Sequence, residues 1–208
     1  MNTSRITFAL FALTLFAASS SEAAAQWAVT AEVAAPRFWG GSYESRGGNR
    51  SFHPYRPTLL GAGVERAGRV AGLGLRGYYA RASLALEGSD AIIALKHALE
   101  VLGAVAEVSV GLKRLDQRVR LVAYSGPFIE VWSLGGQSSH TSAGWNASVG
   151  LELSIGGRWS GVFRAGGGVS ASPFSLDDLE AGFEPGALWR RELSGRIRFA
   201  LGSTAPAN

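Results

Sequence analysis

The sequence has no cysteine, which excludes disulfide scaffolds, thiolate-held zinc, iron–sulfur clusters and thiol catalysis. Its three histidines are too few for a His-rich metal cluster. Lysine is nearly missing: of 20 basic residues, 18 are arginine and only Lys96 and Lys113 are not. Beyond the first 25 residues, no apolar run reaches the roughly 18 residues of a spanning helix. Glycine, by contrast, is abundant at 28 of 208 residues, about 13% against a usual ~7%. The length suits a single ordinary domain.

The first 25 residues stand apart. Arg5 precedes the apolar stretch Ile6–Ala18, and Ala23-Ala24-Ala25 follows. A charged start, a short apolar middle and small residues before the cut predict a cleaved export signal, 1–25, ending before Gln26. Thirteen apolar residues reach only about 20 Å as a helix, short of a ~30 Å hydrocarbon core, so an uncleaved anchor is disfavoured. No cysteine follows for lipid attachment. Arg5 and Glu22 leave together, so the net charge stays +4.

The rest, 26–208, reads with period two. In Trp145–Ile155 the odd positions are Trp145, Ala147, Val149, Leu151, Leu153 and Ile155; the even ones are polar or glycine. That alternation marks a strand with one apolar and one polar face. Segment 189–201 repeats it, with Leu193, Ile197 and Phe199 against Glu192, Arg196 and Arg198. The same template predicts eight strands near 27–38, 57–65, 69–81, 99–112, 118–133, 143–155, 159–171 and 188–201. Hairpin turns fall at Arg66–Gly68, Lys113–Gln117 and Gly156–Arg158. Long polar connections occupy 37–56, 82–98, 134–142 and 172–187. Ile92, Leu95, Leu99 and Leu102 also fit a helical stripe with Ser89 as N-cap, so 89–102 is open between helix, loop and strand.

Period two alone does not say which face meets water. The polar faces carry Glu32, Glu65, Glu107, Glu130, Glu152 and Glu192 with Arg76, Arg120, Arg164, Arg190, Arg196 and Arg198. Neither lysine nor aspartate is among them; both types are placed in turns and loops. A narrow lumen favours Arg–Glu forks, because bidentate pairing offsets desolvation. On a lipid face each midplane arginine would cost about 2–4 kcal/mol. The charges therefore point inward, with Glu152 and Arg164 expected as near partners, and Arg191 alone breaks the phase. Outward aromatics support the assignment. Trp27, Trp159 and Phe199 mark one end; Trp39, Tyr79, Trp145 and Trp189 mark the other. The ten residues from Trp189 to Phe199 span about 25 Å, the height of an apolar band between aromatic girdles.

The signal peptide, the eight strands, the alternating short and long connections, and girdled rows such as WNASVGLELSI and WRRELSGRIRFAL together resemble small outer-membrane β-barrels of the OmpA, OmpX or OmpW kind. The resemblance implies an all-β, eight-stranded antiparallel up-and-down transmembrane barrel in a Gram-negative-type outer membrane. It implies a monomer, with outer-membrane lipid, lipopolysaccharide and the barrel assembly machinery as partners. Barrels of this kind often end on an aromatic read by that machinery; here Phe199 is followed by nine residues.

No catalytic, cofactor-binding or metal motif is present. Gly40-Gly41, Gly47-Gly48 and Gly166-Gly167-Gly168 lack the helix and lysine of a phosphate loop; the last would leave room for bulky lumen neighbours. His53 and His140, with Ser51, Ser138 or Ser139, are the candidates for a lipid-modifying site near the outer rim, and solvated loop histidines are the simpler reading. Asp177, Asp178, Glu180 and Glu184 make an acidic last loop without the ligand spacing of a calcium site. The first loop is basic and aromatic: Arg37, Arg46, Arg50 and Arg56 against Glu44, with Trp39, Phe52 and Tyr55. It suits an anionic lipopolysaccharide surface; an exported protein has little opportunity to meet nucleic acid. Three functions follow: a non-enzymatic envelope protein with a charge-plugged lumen and interacting loops, a lipopolysaccharide-modifying barrel enzyme, or a soluble lipocalin-like carrier.

Overall fold

The computed structural model describes residues 26–44, 50–68, 70–87, 92–134, 138–175 and 182–201. The expected export signal lies outside them. Nine strands follow one another: β1 (Gln26–Glu44), β2 (Ser51–Tyr55), β3 (Leu59–Ala67), β4 (Ala71–Glu87), β5 (Ile92–Arg114), β6 (Val119–Leu134), β7 (Ser138–Gly156), β8 (Trp159–Ser170) and β9 (Phe183–Ala200). Among the described residues no helix is present.

All pairings are antiparallel. β1 pairs β3 and β9; β3 pairs β4, β4 pairs β5, and β5 through β9 pair in sequence. The ring closes on itself. β2 continues the line of β3 along β4, the two being separated where Arg56 takes a positive φ of 46° and Pro57 has no N–H to give. The result is an eight-stave antiparallel cylinder whose second stave is interrupted.

The turns fall where period two breaks. Gly68 N–H donates to Ala71 O at 2.9 Å between β3 and β4, and Leu115 N–H to Val119 O at 2.9 Å between β5 and β6. Gly156 and Gly157 turn β7 into β8 with φ of 133° and 58°, values that suit glycine. At the other end the strands outrun expectation. β1 reaches Glu44, β4 reaches Glu87, β5 starts at Ile92, β7 at Ser138 and β9 at Phe183, so much of the four expected connections is wall. The reason is local. Bulges shift the register at Gly40/Ser42 and between Ala82 and Leu84, so a strict alternation template stops there although pairing continues.

Segment 92–102 is strand throughout. Leu99 points into the barrel and Leu102 is exposed, the opposite faces that a three-residue separation gives in a strand. Lys96 and Lys113, expected in loops, lie in β5.

Candidate functional site: the filled interior and the two faces of the wall

Alternate residues of each strand separate into two environments. On β1, Ala28, Thr30, Glu32, Ala34 and Phe38 are buried while Trp27, Val29, Val33 and Trp39 are exposed. On β9, Arg190, Ser194 and Arg196 are buried while Trp189, Leu193 and Ile197 are exposed. The exposed face of the cylinder is apolar, and the charges are inside. A lipocalin-like carrier needs the reverse.

The interior charges meet across the barrel. β5 and β9 stand opposite each other in the ring, four staves apart either way. Glu107 of β5 nevertheless accepts from Arg196 of β9 at 2.8 Å, and Arg164 of β8 reaches the same carboxylate. Arg196 also holds Glu32 at 2.8 Å, and Arg76 bonds Glu32 at 2.5 Å. Nearer the short turns, Glu152 accepts from Arg120 at 2.8 Å and from Arg198 at 2.8 Å, and Arg198 holds Glu65 at 2.5 Å. Nearer the loops, Glu130 takes bonds from Arg190 at 2.7 Å, the Tyr78 hydroxyl at 2.5 Å and the Trp132 indole at 3.1 Å.

Guanidinium planes also stack on rings: Arg164 lies 4.3 Å from the Tyr124 centroid and Arg190 4.0 Å from that of Phe128. Arginine suits this interior because one planar fork can serve two carboxylates and an aromatic face. A polar cavity beside Arg76, Arg164, Arg190 and Ser194 measures about 20 Å³, room for a single water.

Of the twelve expected lumen charges, eleven enter these ion pairs. Glu192 lies half-buried beside Arg190. The expected partnership of Glu152 with Arg164 is a misassignment. Arg164 sits opposite Gly150 in the β7–β8 register, bonds the Ser148 hydroxyl at 2.7 Å and continues across to Glu107, so Glu152 turns to Arg120 and Arg198. Gly166 and Gly168 do leave room: Cβ positions there would crowd Ser148 and the Arg190 guanidinium.

Charges fill only part of the interior. Toward the loops it is apolar, with Phe38, Leu99, Val101, Phe128, Trp132 and Leu188 packed together. Phe38 meets Trp132 edge-on at 5.9 Å. The last connection adds to this cluster by burying Phe174, fixed where Ser172 donates to Gly41 O at 2.6 Å. Sequence reading missed this cap and the roles of Tyr78 and Trp132. The signal was available: Trp132 and Phe128 share the parity of Glu130.

The other candidates separate. His53 is buried on β2 with Nε2 2.8 Å from Glu87 and Nδ1 3.2 Å from the Pro54 carbonyl. Both neighbours are acceptors, and the tautomer decides which ring nitrogen donates. His140 is on β7 and pairs in register with Trp132, remote in the chain order of staves from β2. Asp177, Asp178 and Glu180 lie outside the described residues, while Glu184 accepts from Tyr43 at 2.9 Å; that bond raises the Tyr43 pKa. Among the described residues no group of acids and histidines has metal-site geometry.

The basic first loop is also rearranged. Arg37 is an outward residue of β1, Arg50 forks onto Glu44 at 2.7 and 3.2 Å and holds that carboxyl below its ordinary range. Arg56 covers Tyr55, and Arg46 lies outside the described residues.

The exterior completes the picture. Trp27 and Trp159 are half exposed at the turn end, Trp159 resting on Phe199 at 4.7 Å. Trp39, Tyr79, Trp145 and Trp189 are exposed toward the other end. Between them lie Val33, Leu75, Val149, Leu151, Phe163, Leu193 and Ile197. An apolar belt between aromatic girdles around a closed antiparallel ring is the wall of an outer-membrane-type β-barrel.

Solved structures agree on the fold. The chain is similar to the outer-membrane protein OprG from Pseudomonas aeruginosa, at TM-score 0.54 and 10% identity over 85% of this chain and 96% of that one. It is similar to neisserial surface protein A at TM-score 0.53 and 12% identity, over 83% of this chain and 96% of that one. No family model and no curated protein matches the sequence.

Proposed function

We propose that the chain is exported by its first 25 residues and works in the outer membrane as a monomeric, non-enzymatic barrel with a plugged lumen. Its role is structural or surface-interacting, carried by the loop end, with outer-membrane lipid and lipopolysaccharide as surroundings. The observation that carries the plug is the Glu107–Arg196 contact at 2.8 Å. Side chains from opposite staves that touch occupy the centre of the lumen at that level. An eight-stave interior is just wide enough for side chains to fill, and the apolar cap around Trp132 and Phe174 seals the mouth. The test is reconstitution into planar bilayers. The expected result is heat-modifiable gel migration without a stable channel; a reproducible nanosiemens conductance would contradict the plug.

A lipid-modifying enzyme is the second reading, and the His53–Glu87 pair is the observation in its favour. Mass spectrometry of lipid A from cells with and without the protein separates the two. The expected acyl pattern is the same in both. A change that vanishes on His53→Ala would reverse the order.

A further inference from the structure

On the outer wall, two arginines stand at the edge of the apolar belt. Arg37 of β1 and Arg191 of β9 are direct register partners, and both are exposed on the outward face. Trp39 and Trp189 pair in the same way two residues nearer the loops. At ~3.3 Å per residue and ~40° of tilt, the arginines begin about 5 Å below those rings.

Like charges directly opposed across strands repel, and cations on a lipid-facing wall are costly. Toward the loops, two other exposed arginines are answered. Arg81 meets Glu100 at 2.9 Å and the Tyr79 hydroxyl at 2.9 Å, and Arg50 meets Glu44. Among the described residues no carboxylate lies within ion-pair distance of Arg37 or Arg191. Arg37 gives one bond to Pro36 O at 3.2 Å. Immediately below, toward mid-belt, Ala35, Leu193, Ala165 and Val149 line an open apolar groove of about 700 Å³. Cations at headgroup depth above an apolar groove complement an anionic amphiphile.

We propose that Arg37 and Arg191 form a fixed site for the phosphate groups of a lipid in the outer leaflet, its acyl chains lying over Ala35, Ala165 and Leu193. Phosphate fits because a guanidinium fork can bind two of its oxygens, and its charge relieves the repulsion between Arg37 and Arg191. Long arginine stems rise past the tryptophans to the headgroup level. The site rests on the membrane placement proposed above, and its test keeps the two apart.

The protein is placed in phosphatidylcholine nanodiscs containing bisphosphorylated lipid A, and retained lipid is read by native mass spectrometry. The expected result is retained lipid A in the wild type, about tenfold less in R37Q/R191Q, and a similar loss when the lipid A phosphates are removed. R37K/R191K should fall between, keeping charge without the fork. Excess inorganic phosphate should leave the lipid in place. Equal retention by wild type and R37Q/R191Q would overturn the site, and so would complete displacement by inorganic phosphate, which would mark an anion site without lipid specificity. Heat-modifiable migration reports insertion separately. R37Q/R191Q should insert like the wild type, because it removes only outward charge; a wild type that never inserts would overturn the membrane placement itself.

Discussion

Glu130 shows what a single interior residue does. It is 2% exposed, and three donors from three different staves end on its carboxylate: Arg190, Tyr78 and Trp132. Tyr78 can lie there because its β5 neighbour is Gly103; a side chain at 103 would collide with the ring. Removing the carboxylate strands a buried guanidinium, which typically costs about 3–5 kcal/mol. Glu130→Ala should therefore lower the unfolding midpoint in detergent markedly. Glu192→Ala, two positions from Arg190 on the same strand and half-buried, should cost under about 1 kcal/mol. Denaturant titration of both variants, followed by tryptophan fluorescence, checks the contrast. Equal midpoints would mean that the interior is wet enough to rescue a stranded charge.

At the scale of the strand, parity is the governing quantity, and parity was legible. The odd residues of Trp145–Leu151 and the outward run Trp189, Leu193, Ile197 lie where alternation places them, as does Arg191, the exception to the charge rule. Parity is local: one residue's face follows from its neighbours along the chain. Partnership is not local. Arg164 meets Glu107 because eight staves close into a ring, and nothing in β7 or β8 alone announces β5. Strand ends were hidden for a third reason, since the bulges at Gly40/Ser42 and Ala82/Leu84 reset the phase while the ladder goes on. The same principle yields a sharp test on β7. Leu151 is exposed in the apolar belt, opposite Leu121 and Phe163 on the flanking staves. Leu151→Arg should cost about 2–4 kcal/mol at mid-bilayer and reduce the heat-modifiable, inserted fraction. Unimpaired insertion would place that residue away from lipid.

The whole molecule inverts the arrangement of a soluble protein at its middle and restores it at one end. Within the belt, ion pairs fill the centre and valine, leucine and phenylalanine face out; nearer the loops, Phe38, Trp132, Phe174 and Leu188 form an ordinary apolar core inside an extended wall.

The most direct measurement of inside against outside uses the absence of cysteine, since each introduced thiol is the sole labelling site. Every residue from Trp145 to Glu152 is replaced in turn by cysteine, spin-labelled, and the protein reconstituted in lipid vesicles. Oxygen, which concentrates in hydrocarbon, should relax labels at positions 145, 147, 149 and 151 strongly and those at 146, 148, 150 and 152 weakly, with little access for a water-soluble nickel reagent at the even set. Strong nickel access at the odd positions, or oxygen access greater at the even ones, would contradict a lipid-facing apolar wall around an ion-paired interior.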